Sequence, residues 1–364
     1  MINLFNTNVE IVSIHKLGNK SRNEKLHLSA KPTTITDEVM PLFKEYFFKQ
    51  FRKKEEEYFQ FAHEVDLEYN EIYKIAKSCF DLKKGNEIEF HQVSIDIAKH
   101  LFEQSNHPHI KNGELYVAYF RDLEIDNKHV DGIGIFKSEI KSDFFNVKNN
   151  GIDTNNFSIE FTQGNSLEKF DKGCIIFNTN SDEGFKILSI DNNKYDARYW
   201  LEHFLGVDIC EDENFLTKKY LAMCNDFSKK IIAPAEDNKT KVGFQNATIE
   251  YFQKNDEFKE EDFENHVFSA MKNEDSDSLA VMFRDFRINN GEKFGVEDVT
   301  EFDISNKAVT VAAKKFKREI NLDTNISIKL NFNSSESLER FVEKGWDEER
   351  QMYYYLCYFN KEEK

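Results

Sequence analysis

The chain has 364 residues, of which 40% are hydrophobic and 32% charged, enough for two ordinary domains with buried cores. Its formal net charge of -17 opposes binding to phosphate backbones at long range and excludes a protein that coats DNA with its whole surface. Any contact with nucleic acid must therefore use a local basic patch. The absence of a long apolar run and of a secretory signal predicts a cytoplasmic protein without a membrane segment.

The first half of the chain alternates strands with helices. Alternating apolar residues predict a strand at 9–14, and apolar residues at helical spacing predict helices from residue 35 to about 57, at 66–80 and at 94–104. The runs 115–120 and 133–136 flank a polar turn at Asp126-Asn127-Lys128 and predict an antiparallel hairpin. We place this hairpin in the middle of the first sheet.

From residue 157 onward the sequence predicts further strands and helices and one domain boundary. Strands are predicted at 157–161, 173–177, 185–190, 280–286, 326–332 and 353–359, and helices at 196–205, 215–232 and within 304–320. The polar run 234–241, which contains Pro234, is the best candidate boundary and divides the chain into domains 1–232 and 233–364. The predicted fold class is α+β, a mainly antiparallel sheet flanked by helices, with a second, smaller α+β domain at the C-terminus.

Two basic groups stand out from the acidic background and are the candidate nucleic-acid contacts. They are Lys314, Lys315, Lys317 and Arg318, with Phe316 between them, and Lys16, Lys20, Arg22 and Lys25 around an N-terminal hairpin predicted at the turn Leu17-Gly18-Asn19-Lys20. Lysine and arginine side chains bind phosphates, with an affinity that falls as salt rises. The alternative is that either group is the solvated face of a structural element.

Three short matches to metal or cofactor motifs fail. His63-Glu64 lacks a second histidine one turn later, Gly132-Ile133-Gly134 lacks a third glycine, and His107-Pro108-His109 has no further ligand at metal spacing. We predict no metal and no cofactor.

One catalytic alternative survives. Glu139-Ile140-Lys141 resembles the Glu-x-Lys element of metal-dependent nucleases, with Asp131 or Asp122 as the second carboxylate for Mg²⁺. Glu139 and Lys141 are otherwise solvated residues at the end of a strand.

A family resemblance extends over most of the chain. The segments IHKLGNKSRNEKLHLS, HEVDLEYNEIYKIAKSCF, SIDIAKHLFEQSNHPHIKNGELYVAYFRDLEID and VDGIGIFKSEIK, with the C-terminal AVTVAAKKFKREINLDTNISIKL and GWDEERQMYYYLCYF, resemble the bacterial nucleoid-associated proteins of the NdpA type. The resemblance implies a cytoplasmic protein of the nucleoid with affinity for DNA and transfers no catalytic residues.

These observations lead to one functional prediction with two alternatives. We predict a non-enzymatic nucleoid-associated protein that binds DNA locally through its basic groups, with DNA-handling proteins and a second copy of the chain as further partners. The alternatives are a Mg²⁺-dependent nuclease with Asp131, Glu139 and Lys141, and an acidic protein-protein adaptor without DNA contact.

Overall fold

A computed structural model describes residues 7–53, 57–83, 85–149, 157–193, 198–235, 237–271, 276–332 and 336–361. The chain divides into two compact units, Met1–Cys210 and Glu211–Lys364. This division lies earlier than the predicted boundary at residue 232, because the helix Glu213–Phe227 packs in the core of the second unit. That each unit is a domain able to fold alone stays a prediction.

The first unit is built on a seven-stranded antiparallel sheet with a separate two-stranded hairpin. Its strands are β1 Asn8–Leu17, β2 Tyr58–Phe61, β3 Gly113–Ile125, β4 Lys128–Ser138, β5 Lys141–Asn149, β6 Phe157–Asn165, β7 Lys172–Phe177, β8 Lys186–Asp191 and β9 Val207–Ile209. Strands β5 and β6 form the hairpin, and the others form the sheet in the order β1-β3-β4-β7-β8-β2-β9. The predicted hairpin therefore lies inside the sheet, as strands β3 and β4.

Helices cover both faces of this sheet. They are α1 Met40–Lys53, α2 Glu71–Phe80 and α3 Glu87–Gln104, with a π-helical segment at Arg198–Leu205. Because successive strand residues face opposite sides, Leu115 and Val117 pack in the core with α2, α3 and the π-helical segment, whereas Tyr116 and Ala118 pack in the core with α1.

The second unit is mainly helical around a phenylalanine-rich core. Its helices are α4 Glu213–Phe227, α5 Ala233–Ala235, α6 Asn238–Lys254, α7 Glu260–Ala270, α8 Ser276–Phe294, α9 Asn306–Ala313 and α10 Glu336–Phe341. Its short strands are β10 Glu257–Lys259, β11 Glu301–Asp303, β12 Glu319–Asn321, β13 Ser327–Lys329, β14 Val342–Asp347 and β15 Met352–Cys357, paired in sequence order as three two-stranded sheets. Together the two units confirm the α+β fold class.

One predicted element of the second unit was wrong, and a second is shorter than the predicted segment. Residues 280–286 belong to α8 and not to a strand, because Leu279, Phe283 and Phe286 are buried at the spacing of a helix. The helix predicted within 304–320 ends at Ala313, and the basic run after it forms a turn and an extended segment that leads into β12.

Candidate nucleic-acid interface

The C-terminal basic run lies in the connection between α9 and β12. Phe316 is buried in the core of the second unit, and it anchors this connection. Lys314, Lys315 and Lys317, on either side of Phe316, are exposed. A buried aromatic residue thus holds three exposed lysines in one short segment.

Arg318, the fourth residue of this predicted group, is placed differently. Its side chain is only partly exposed, and Nη1 donates a hydrogen bond of 3.2 Å to Oδ1 of Asn246. Burial lowers the pKa of its guanidinium below the ordinary value. We therefore assign Arg318 a structural role that joins β12 to α6, and keep the three lysines as candidate phosphate contacts.

Two further lysines extend this basic surface. Nζ of Lys241 in α6 donates to the backbone oxygen of Glu319, 3.4 Å away and two residues beyond Lys317. Burial lowers the pKa of Lys241, and the positive charge of Lys229 lowers it further, whereas Glu319 acts in the opposite direction. Because Lys229 and Lys241 repel each other, an anion bound between them, such as a phosphate, would stabilise both charges. Sequence inspection missed Lys229 and Lys241 because they lie far from the basic run along the chain.

The N-terminal basic group surrounds a loop held tightly to the first unit. The side chain of Asn19, which is fully buried, donates hydrogen bonds to the backbone oxygens of His107 and Ile110. Lys20 forms an ion pair with Glu103. That ion pair offsets the charge of Lys20 and makes it the weaker phosphate candidate of the group.

The other three cations of this group are exposed. Arg22 donates to the backbone oxygen of Pro108, and within the described chain no carboxylate lies at ion-pair distance from Lys16 or Lys25. These two lysines are therefore the stronger phosphate candidates of the N-terminal group.

The structure does not bring together Asp131, Glu139 and Lys141, the residues of the nuclease hypothesis. Asp131 lies near the start of β4 and Glu139 just past its end, so eight residues of extended chain place them roughly 26 Å apart. Asp131 instead accepts hydrogen bonds of 3.0 Å from Tyr119 and Arg121. Lys141 forms an ion pair with Glu114. A single Mg²⁺ cannot bridge carboxylates at that separation.

Asp122, the alternative second carboxylate, does not form a Mg²⁺ site with Glu139 either. Asp122 lies at the bulge in β3 with a positive φ of 57°, nearer to Asp131 than to Glu139 along the paired strands. Among the residues that the structure describes, no group of three or more His, Cys, Asp or Glu side chains is placed to hold a metal ion.

Glu139 belongs instead to a buried charged cluster. Its carboxylate accepts from Nζ of Lys137 at 2.7 Å and from Nδ2 of Asn193 at 2.9 Å. The side chains of Lys137 and Glu139 are only 1% and 4% exposed. Burial alone would lower the pKa of Lys137, but the nearby Tyr199 and Glu139 outweigh it and raise this pKa. The geometry describes a structural ion pair.

A cavity of about 660 Å³ lies beside this cluster. Its lining includes Arg22 and Lys111 from the surface and Tyr199, Lys172 and Glu139 from the interior. Nζ of Lys172 already donates to a carboxylate oxygen of Asp191 at 2.6 Å. The two buried charges of the lining are thus engaged by protein partners and are not available as an acid–base pair.

Fold and surface together define an α+β protein of two units that carries exposed lysines on anchored loops in an otherwise acidic chain. The family model of nucleoid-associated protein YejK matches residues 13–353, so the chain belongs to this family. The predicted resemblance to the nucleoid-associated proteins is confirmed. The comparison with curated proteins found no significant match. No helix of the described residues is both long and apolar enough to cross a membrane.

Proposed function

We propose that this protein associates with the bacterial nucleoid by contacting DNA through Lys314, Lys315 and Lys317, supported by Lys229 and Lys241. The observation that carries the proposal is the exposed lysine segment anchored by a buried aromatic residue. In a chain of net charge -17 such a segment marks a place where a phosphate backbone is able to approach closely. Membership of the nucleoid-associated family agrees with it.

Binding of this kind is independent of DNA sequence. Lysine ammonium groups contact phosphates as point charges and read no base edges. Lys16 and Lys25 of the first unit provide a second, smaller contact, and Arg22 adds to it. The protein accordingly resides in the cytoplasm, on the nucleoid.

We further propose that the protein acts without catalysis. This rests on the separation of Asp131 from Glu139 and on the ion pairs that engage Glu139 and Lys141. Purified protein incubated with single- and double-stranded DNA and RNA in the presence of Mg²⁺ or Mn²⁺ is expected to leave them intact. Cleavage that is abolished by Glu139→Gln would overturn this part of the proposal.

The DNA contact is tested with a triple variant in which Lys314, Lys315 and Lys317 are changed to Ala. The matched control changes three exposed lysines elsewhere, Lys83, Lys128 and Lys361, to Ala and alters the net charge equally. Fluorescence anisotropy with random duplexes at low salt is expected to show a uniform loss of affinity for the first variant only. Equal losses in both variants would mean that total charge, and not this segment, governs binding.

A second candidate function is association with proteins that handle DNA. Exposed carboxylates favour it, for example those of Glu261 and Asp262 in the first turn of α7. Such a surface attracts basic partners at long range. Purified protein that fails to bind DNA at low salt but co-purifies with DNA-handling enzymes would establish the adaptor in place of the direct contact.

A further inference from the structure

The cavity of about 660 Å³ in the first unit has the size of a binding site for a small organic molecule. Ligand pockets in proteins have volumes of about 300–1,000 Å³ and combine apolar walls with a few polar groups. The lining of this cavity comes from the loop after β1, the loop before β3, the connection between β4 and β5, the start of β7 and the π-helical segment. The fold thus gathers side chains from distant parts of the sequence around one space.

The lining of the cavity is cationic, in contrast to the acidic chain. It contains three cations, Arg22, Lys111 and Lys172, and one carboxylate, that of Glu139, which gives a net charge of two positive units. Arg22 and Lys111 are exposed and form the rim, and among the described residues no carboxylate lies at ion-pair distance from either. The two rim cations are therefore available to an anionic ligand.

Hydrogen bonds hold both rim cations beside the cavity. The side chain of Arg22 donates to the backbone oxygen of Pro108, in the loop before β3. In the same loop the backbone oxygen of Lys111 accepts a hydrogen bond of 2.8 Å from Nζ of the buried Lys137. Because both cations are tied to one anchored loop, little further ordering is needed when they bind an anion.

The interior of the cavity offers hydrogen-bond acceptors. Asn193 donates through Nδ2 to the carboxylate of Glu139, and within the described chain no donor reaches the amide oxygen of Asn193. A carboxylate has about four lone-pair sites, so Glu139 is able to accept a further hydrogen bond beside those from Asn193 and Lys137. The interior therefore suits a ligand that presents N–H groups.

Apolar side chains complete the lining, namely those of Ile110 and Ile140 with the ring of Tyr199. The hydroxyl of Tyr199 lies 3.1 Å from Oγ of Ser105, whose own proton is donated to a backbone oxygen, so Tyr199 is the donor in this contact. Tyr199 belongs to the π-helical segment Arg198–Leu205, and π-helical backbone is rare and frequently found at functional sites. The apolar walls favour a ligand with an apolar ring.

We propose that this cavity binds a nucleoside monophosphate, with its phosphate at Arg22 and Lys111 and its base towards Asn193 and Glu139. A phosphate monoester carries a charge of about −1.5 to −2 at pH 7, which matches the two rim cations. A base with an exocyclic amino group supplies both the ring for the apolar walls and the N–H donors for the interior. Inorganic phosphate leaves the walls and acceptors unused, and a nucleoside leaves the cations unpaired.

The same chemical group occurs in two sources. One is a free nucleotide, and the other is the 5′-terminal nucleotide of a DNA strand, which carries the same phosphate monoester. The second source rests on the proposed DNA contact of this protein, whereas the first is independent of it. Binding of free nucleotides in the absence of DNA therefore tests the cavity separately from that contact.

Isothermal titration calorimetry of the full-length chain with AMP, CMP and GMP tests the proposal. At least one of them is expected to bind with a Kd of about 100 μM or lower, and at least about 10-fold more tightly than its parent nucleoside or inorganic phosphate. The double variant Arg22→Ala/Lys111→Ala is expected to weaken this binding about 100-fold. The matched control Lys83→Ala/Lys128→Ala removes two exposed lysines that do not line the cavity and is expected to bind as the wild type does.

Hydrogen exchange of the wild type gives a readout that does not depend on a variant, since the bound nucleotide is expected to protect residues 109–112 and 139–140. Absence of binding by all three nucleotides, equal affinity for inorganic phosphate or for the nucleoside, equal weakening in the control variant, or protection confined to other residues overturns the proposal.

Competition then separates the two sources. Displacement of the bound nucleotide by a 5′-phosphorylated oligonucleotide, but not by its 5′-hydroxyl counterpart, assigns the site to DNA ends. Failure of both oligonucleotides to compete assigns it to free nucleotides. Each of these two results supports the proposed ligand chemistry, whereas equal displacement by both oligonucleotides means that the terminal phosphate is not recognised and overturns it.

Discussion

Replacement of Glu139 by Ala is expected to destabilise the first unit strongly. Glu139 is the acidic partner of Lys137, and the replacement leaves that ammonium group buried without a carboxylate. The hydrogen bond from Asn193 is lost as well. If Glu139 acts in this ion pair and not in metal binding, its replacement lowers the free energy of unfolding.

The expected size follows from the burial of the pair. With exposed fractions of 1% and 4%, solvent screens neither charge appreciably. Removing one partner of a buried ion pair costs about 3–5 kcal/mol, because the remaining charge stays desolvated. For a unit of this size each kcal/mol lowers the Tm by about 2–4 °C, so a decrease of roughly 6–20 °C is expected.

Urea unfolding followed by circular dichroism measures this loss. The double variant Lys137→Met/Glu139→Leu removes both charges and is expected to recover most of the stability. Lys141→Ala, which breaks the partly exposed pair with Glu114, serves as the control and is expected to cost at most about 1 kcal/mol. A loss below about 1 kcal/mol for Glu139→Ala, or a double variant less stable than the single one, would refute the assignment.

Three other predictions concern stability. Burial and the charge of a neighbouring histidine lower the pKa of His15 from 6.5 to about 4, so its contribution to stability is present above about pH 6.5 and is lost as the pH falls towards 4. His15→Gln should flatten the dependence of the free energy of unfolding on pH, measured by urea titrations. An unchanged pH dependence in the variant would contradict this prediction. Arg318→Met should cost about 1 kcal/mol in urea and leave DNA affinity nearly unchanged, whereas a loss of affinity without a loss of stability would make Arg318 a DNA contact. Gly184→Ala should cost more than about 1 kcal/mol, because φ is +98° and an added Cβ would clash with the backbone oxygen of Phe61. Gly85→Ala, at a positive φ but in open space, is the control and should lower the Tm less; equal decreases in Tm would exclude the clash.

The centre of the first unit was predictable from local signals. The runs that form β3 and β4 are apolar, and the residues between them, Asp126 and Asn127, both adopt a positive φ, as a two-residue hairpin turn requires. Strand composition and turn chemistry thus agree at this point, and the predicted pairing is confirmed.

Prediction failed where local composition and tertiary packing conflict. The segment 280–286 contains strand-forming residues, yet it lies in α8, because burial of Phe283 and Phe286 on one side favours a helix. The polar run 234–241 resembled a linker, but its second half begins α6, where Asp237 accepts a hydrogen bond from the backbone of Thr240 as the N-cap. The polar residue types that cap the start of a helix are also typical of linkers, so the sequence did not distinguish the two.

The candidate site was predictable only in part. Charge density along the chain identified Lys314, Lys315 and Lys317, but the burial of Arg318 depends on Asn246, 72 residues away. Similarly, the tripeptide around Glu139 suggested a metal ligand, because the sequence contains no sign that the carboxylate is enclosed with Lys137. Contacts with residues distant in sequence contribute to both cases, since Glu139 also accepts a hydrogen bond from Asn193, 54 residues away.

The salt dependence of DNA binding tests the proposed contact most directly. Each phosphate contact contributes about 0.9 to the slope of log Kobs against log salt concentration. We therefore expect the change of Lys314, Lys315 and Lys317 to Ala to reduce this slope by about 3, equally for duplexes of different sequence. Wild type and triple variant with the same slope and the same affinity would contradict the account.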